Sequence, residues 1–420
     1  MRNFGRLWTL PHAAMVVILL IVSLFAQPAR GQVFGGMGMD DFTPDLVTKR
    51  GVLGYAKILG LDEEQKQTVL ALLDGTKTEY RKEMKTFQDK MKSLQGKAME
   101  DQDWTVWQKD LPDMIEKLQK TTERLETQFF DDLKAICSEG QASRWEGVER
   151  FRRREKYLRF SMVSGAGADL VAIVEKCGAA PAGNAEFVET LSQYELDIDK
   201  PVREFDRIQK EQEKNAREGM EKWTKDPEKA MEEMNKMMER MTEIGKDLRN
   251  LNRDYVRRLS PLMGEAERAK FEDEFNRRSF PRVYREAHAT KMITSALALP
   301  DLSEDQRQQL AVIKEQYTRD SASANERWAK VIEEEEEKNN GSMGRMMRMG
   351  WGQGGNEDEK EARTARRELD EKTEDKVKAI LTEAQLTRMP EKKIDTRQPW
   401  EDMMPDRADW VDEDLVETGK

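Results

Sequence analysis

Apolar residues between positions 60 and 390 recur at every third or fourth place, and alternation of period two is absent. That pattern predicts helix rather than strand, with narrow seams of the coiled-coil kind. A first strip runs Val69, Leu73, Thr76, Tyr80, Met84, Phe87, Met91 and Leu94, and a return strip runs Met114, Leu118, Leu125, Phe129 and Ile136. A second pair runs outward through Phe187, Leu191, Tyr194, Ile198, Val202 and Phe205. It returns through Met231, Met234, Met238, Met241, Leu248, Leu251, Tyr255, Leu259 and Leu262. A third runs through Leu310, Ile313, Tyr317, Ala324, Trp328 and Val331 and back through Leu369, Val377 and Ile380. Turn residues separate each outward strip from its return, at Gly96 to Pro112, at Thr224-Lys225-Asp226-Pro227 and at Asn339 to Asn356. The expected fold is therefore all-α and elongated, with three long antiparallel helical hairpins in tandem. An arm of roughly 35 residues would be about 52 Å long. Helical linkers are expected near 142–176 and 268–299, interrupted by Gly165 and Gly167 in the first and by Pro281 and Pro300 in the second.

Short repeats punctuate the strips. Residues 134–145 read KAICSEGQASRW and residues 378–389 read KAILTEAQLTRM; residues 61–65 read LDEEQ and 302–306 read LSEDQ. Leu262 to Phe271 gives a weaker closing copy, and APAGN at 180–184 places Asn184 at the glutamine of a degraded opening copy. The shared pattern is a capping box. The side chain of Asp62, Ser138, Ser303 or Thr382 accepts from the backbone three residues on, while Gln65, Gln141, Gln306 or Gln385 reaches back to the cap residue's own N–H. Leu61, Leu302 and Leu381 precede three of the boxes, and Leu381 is placed to staple against Leu386. Starting a helix is all that any single copy requires; the regular spacing of several is the informative feature.

Those paired motifs resemble the LTXXQ-motif family of periplasmic stress proteins, of the Spy and CpxP type. LDEEQ pairs with CSEGQ, LSEDQ pairs with LTEAQ, and Phe271 to Arg278 is similar to the sequence that follows the family's second motif. The resemblance implies an all-helical, stress-linked protein acting as an ATP-independent chaperone or as a sensor's partner, folded as a curved cradle formed by a dimer. The chain departs from that family in fusing three units, in its acidity and in having no His-rich tail; the oligomeric state is left open.

The first residues bear on compartment. Arg2 and Arg6 precede an apolar run from Ala13 to Ala26, and Ala29-Arg30-Gly31 presents small residues before Gln32. This is the layout of a secretory signal peptide cleaved between Gly31 and Gln32, and the run is short of the ~20 residues that a spanning helix needs. The expected organisation is a signal peptide at 1–31, a loose segment at 32–50, hairpin units at 51–164, 165–285 and 286–390, and an acidic tail at 391–420. The last unit carries a Gly- and Met-rich tip at 340–356. Export to the periplasm follows, with the membrane met only through the signal segment. In that oxidising setting Cys137 and Cys177 could bridge or could remain small buried hydrophobes.

Composition narrows the chemistry. Asp, Glu, Lys and Arg make up 36% of the 420 residues and the formal charge is −11, which argues against nucleic acid as a partner. Only two histidines are present, His12 inside the signal segment and His288, and no nucleophile, phosphate-loop or zinc pattern stands out. No catalytic residue, cofactor or resident metal is therefore expected. The exception weighed is Met343, Met346, Met347 and Met349, thioethers in a Gly-rich stretch that could take copper(I) or silver(I), or apolar peptide. The basic run Arg150 to Arg159 is expected to pair with acidic arms such as Glu232-Glu233. The leading expectation is an exported, chaperone-like or stress-responsive protein that binds unfolded or envelope proteins. The alternatives are a structural scaffold and a Met-rich copper or silver binder.

Overall fold

The computed structural model describes residues 46–100, 105–158, 163–181, 183–338 and 357–392. The described residues are all-α, with thirteen α-helices and no strand among them. The chain forms two compact units. One holds the described residues up to Tyr157 together with Val202–Met234; the other holds those of Leu158–Pro201 and those from Asn235 onward.

In the first unit, α1 (Lys49–Leu59) is capped at Thr48, whose hydroxyl accepts from Gly51 N at 3.0 Å. It stops at Gly60, whose φ of 68° lets the last carbonyls be satisfied by the Gly60 and Leu61 N–H groups. α2 (Glu63–Glu100) and α3 (Thr105–Ala135) then run antiparallel, since the start of α2 meets the end of α3 and Tyr80 and Met84 meet Leu125 midway. A four-residue turn of helix, α4 (Glu139–Ala142), leads into α5 (Trp145–Tyr157). The core gathers Val52, Tyr55 and Leu59 of α1, Val69 and Leu73 of α2, Phe129, Phe130 and Leu133 of α3, and Val148 of α5. Tyr55 meets Phe130 and Phe151 edge-on at ring separations of 5.4 and 5.5 Å. A methyl group at Gly54 would overlap the Phe151 ring, so the close approach of α1 to α5 depends on that glycine.

The outward strip of the first pair is buried at Val69, Leu73, Tyr80, Met84, Met91 and Leu94, as its periodicity predicts. The return strip is buried at Leu125 and Phe129 as predicted and departs from the prediction towards its start. Leu111, Ile115, Leu125, Phe129 and Leu133 are buried, whereas Met114 is only half-buried. Pro112, expected to mark the turn, lies inside α3. The helix therefore starts seven residues before it, and the seam opens at Leu111. An interior proline costs about 3 kcal/mol of helix, which the burial of its neighbours offsets.

α7 (Ala185–Lys225) and α8 (Pro227–Leu259) each contribute residues to both units. Asp226 caps α8, accepting from Lys229 N at 3.1 Å, and Pro227 takes the first helical position, as the turn signal predicts. Pro201 lies inside α7 between Ile198 and Val202, both buried.

The second unit also contains α6 (Leu170–Cys177), a 3₁₀ turn (Ser260–Leu262), α9 (Glu265–Ser279), α10 (His288–Leu297), α11 (Glu304–Lys338), α12 (Glu357–Ile380) and α13 (Glu383–Leu386). α10 lies against α11 and α12 much as α1 lies at the base of its own pair. Ala289, Met292, Ile293 and Ala296 pack with Leu310, Tyr317, Val377 and Leu381, and Leu386 joins the same cluster. A second cluster joins Phe280 and Val283 to Trp328, Ala329 and Ala362.

Candidate functional site

The four predicted capping boxes come together as two reciprocal amide pairs. At the base of the first pair of long helices, Asp62 accepts from Gln65 N at 2.8 Å and Gln65 Oε1 accepts from Asp62 N at 3.0 Å. Ser138 and Gln141 make the same box at the end of α3. The two carboxamides then face each other across 76 residues of sequence: Gln65 Nε2 donates to Gln141 Oε1 at 2.9 Å, and Gln141 Nε2 donates back to Gln65 Oε1 at 2.8 Å. Each has one N–H left, and it goes to backbone. Gln65 donates to Ile136 O at 2.9 Å and Gln141 to Gly60 O at 3.1 Å. Every donor of both side chains is used, and each oxygen accepts twice. One small device thus starts two helices and ties the ends of two others.

The arrangement recurs in the second unit, 79 residues apart. Gln306 donates to Gln385 Oε1 at 3.0 Å and to Ile380 O at 2.9 Å; Gln385 donates to Gln306 Oε1 at 3.4 Å and to Asp301 O at 3.2 Å. Ser303 and Thr382 supply the caps. Leu61 and Leu381 are buried below their boxes and Leu302 is half-buried.

The middle copy corrects the sequence alignment. Asn184 does not stand at the glutamine position; it is the cap of α7, its Oδ1 accepting from Phe187 N at 3.1 Å. Phe187 holds the place of the glutamine and is buried in the seam. Even so, Asn184 Nδ2 donates to Leu262 O at 3.2 Å. Ile136, Ile380 and Leu262 each lie two residues before a closing cap, so one amide-to-carbonyl bond persists in all three places although a different side chain supplies it. At the middle closing cap, Gly264 has no side chain to accept, and the Glu267 carboxylate folds back over it.

A second polar centre was not foreseen. The segment Val163–Ala168 is largely buried, and its backbone groups are met by side chains from three helices. Asn252, fully buried, donates to Gly165 O at 2.8 Å; Tyr194 Oη accepts from Leu170 N and lies 2.9 Å from Asn252 Oδ1. Glu336 accepts from Ser164 N at 3.1 Å and Ser164 Oγ at 2.7 Å and pairs with Arg249 at 3.0 Å, both charged side chains being 4% exposed. Arg249 also meets Glu337, and Arg253 meets Glu333. The acidic run at 333–337 is thus in part a buried anchor.

Tyr317, Arg366, Asp370 and Asn325 form a third cluster between α11 and α12. Tyr317 donates to Asp370 at 2.6 Å, and Arg366 donates to Asn325 at 2.7 Å and to Tyr317 at 3.2 Å while pairing with Asp370. Burial, then the bond to Asp370, push the Tyr317 phenol from 10.0 up to about 12. A raised pKa means that the folded chain holds this proton more tightly than the unfolded one. The stabilisation is complete below pH 10 and is lost as the pH rises towards 12. Urea unfolding of Tyr317→Phe is expected to show a shallower fall in stability over that window than wild type. A residual slope remains from Tyr255 and Tyr284, whose phenols burial also raises.

The basic run is salt-bridged in part to an acidic arm, here α3. Arg152 meets Glu126 of α3 at 2.6 Å and Arg150 meets Glu146, whereas Glu233 pairs with Lys222. Burial would raise the Glu126 carboxyl, but Lys156 and Arg152 bring it below the usual carboxylate range. Cys137 and Cys177 are both free. Their thiols face Leu133 O and Lys270 O, and burial pushes both up. Each thiol lies against backbone of its own unit. The signal segment with Gly31 and Gln32, and Met343, Met346, Met347 and Met349, lie outside the described residues.

Among the described residues no group of three or more His, Cys, Asp or Glu side chains could hold a metal ion, and no helix is long and apolar enough to cross a membrane. No protein-family model matches the chain, and no curated protein or solved structure matches it.

Proposed function

We propose that the protein is an exported helical scaffold of the LTXXQ-like kind, built from three tandem hairpin units and acting through binding rather than catalysis. The observation that carries this reading is the internal use of its apolar surface. Val69, Tyr80, Ile198, Val202, Met238, Leu310 and Val377 are buried in their seams. The large apolar side chains most exposed among the described residues are Leu53, Val188, Leu196 and Val312, at 51–67%, spread over α1, α7 and α11. Dispersed single residues of this sort are ordinary protein surface. The repeated order of a short helix, a long helix and a long return, with an amide tie at each base, supports the tandem reading.

A second reading, that of an ATP-independent chaperone for unfolded envelope proteins, draws on the motif resemblance and on the Met-rich stretch at 340–356. Light scattering separates the two. With a chemically unfolded client diluted into buffer, the scaffold reading expects unchanged aggregation at equimolar chain, without nucleotide, across several clients. Suppressed aggregation would overturn it in favour of the chaperone.

A further inference from the structure

The outer face of α2 is basic in a chain whose formal charge is −11. Between Lys77 and Lys97 basic residues outnumber acidic ones by seven to three. Tyr80, Met84, Met91 and Leu94 bury the seam side of that stretch, which leaves Lys82, Lys85, Lys90 and Lys97 exposed. From Lys82 to Lys97 the face is about 22 Å long. An exposed lysine on a helix is commonly answered one turn away, as Lys120 is by Glu116 and Lys210 by Asp206. Here the spacing withholds that answer. Lys82 has Thr78 and Thr86 at those places, and Lys90 has Thr86 and Leu94. Glu79 turns instead to Arg124 of α3. None of the four lysines makes an ion pair among the described residues.

We propose that this face is the docking surface for the chain's own acidic end, residues 401–420. There acidic residues outnumber basic ones by eight to two, and Asp409, Asp412, Glu413 and Asp414 stand within six positions. The two stretches match in length and oppose in sign. Residues 393–420 lie outside the described residues, so the fixed partner is α2. Attachment to the same chain gives the acidic end a high effective concentration, and weak charge pairing then suffices to hold it. Interactions between exposed charges are screened over about 10 Å at 0.1 M salt, which makes the cover releasable by salt or by a competing polyanion. Until it is displaced, the acidic end shields the basic face from other anions. The inference is independent of the scaffold reading.

Zero-length carbodiimide cross-linking of the full chain, mapped by mass spectrometry, tests it. Links from Lys82, Lys85, Lys90 and Lys97 to carboxylates of residues 401–417 are expected at about 50 mM salt, and about tenfold fewer at about 1 M. A chain carrying Lys82→Gln, Lys85→Gln, Lys90→Gln and Lys97→Gln keeps its buried seam. Tryptic cleavage after Arg407 is expected to be about fivefold faster in that variant than in wild type. Links scattered over lysines without preference for α2, or equal cleavage of the two chains, would overturn the proposal. So would links found only between isotopically distinct chains, which would make the occupant a second copy. Binding of phosphatidylglycerol vesicles with the Arg407 bond unprotected in wild type would overturn it too, and would assign the face to a lipid surface.

Discussion

Glu336→Ala is expected to lower the stability of the second unit by about 3–5 kcal/mol, the scale for breaking one partner of a buried ion pair. The carboxylate satisfies several groups at once. It neutralises Arg249, whose side chain is as buried as its own, and it accepts from both the backbone and the hydroxyl of Ser164. Its removal leaves a buried N–H unpaired, while Glu337, half exposed, retains only the outer side of the guanidinium. Glu336→Gln keeps an acceptor for Ser164 and loses the charge, so its cost should be smaller. Calorimetric unfolding of the two variants checks the order. Equal and negligible shifts would mean that the 163–168 segment is held without this pair.

The second large effect is cooperative. Gln385→Ala removes the acceptor for Thr382 N and the donor to Asp301 O, and strips Gln306 of its partner, in a residue 3% exposed. Leaving buried polar groups unpaired costs about 1–3 kcal/mol each, and we expect a total near the top of that range. Gln306→Ala alone should cost a similar amount. The double variant should cost much less than the sum, with a coupling of about 1–2 kcal/mol, because the second deletion removes groups that the first has already orphaned. Additivity within about 0.5 kcal/mol would show that the two boxes act as separate caps.

Much of the fold was legible because its signals are local. Val69 to Leu94 follow helical spacing, and each of those buried positions could be named from period alone. The boxes at Asp62, Ser138, Ser303 and Thr382 are encoded within four residues. What escaped was set by partners distant in sequence. Nothing near Gln65 says that its amide meets Gln141. Asn184 looked like a glutamine equivalent because a short amide can cap a helix itself, and only the backbone at Phe187 distinguishes the two. Pro112 read as a turn because its ring disfavours a helix interior, yet the burial of Leu111 and Ile115 decides otherwise. The return strip of α12 was sparse in the sequence because Arg366, Thr373 and Glu374 occupy buried seam positions, with Asp370 joining the network beside them.

The amide tie between Gln65 and Gln141 also has a kinetic meaning. It lies at the end of α2 and α3 remote from their connection, so it closes only after the intervening turns have zipped together and its 76-residue separation has been bridged. Contacts made that late are expected to be absent from the folding transition state, so Gln141→Ala should speed unfolding and leave the folding rate nearly unchanged in stopped-flow kinetics. Strengthening or weakening them changes how fast the pair comes apart and leaves its rate of assembly nearly unchanged. Such a lock sets the lifetime of the folded pair in surroundings where an opened helix end is not readily repaired.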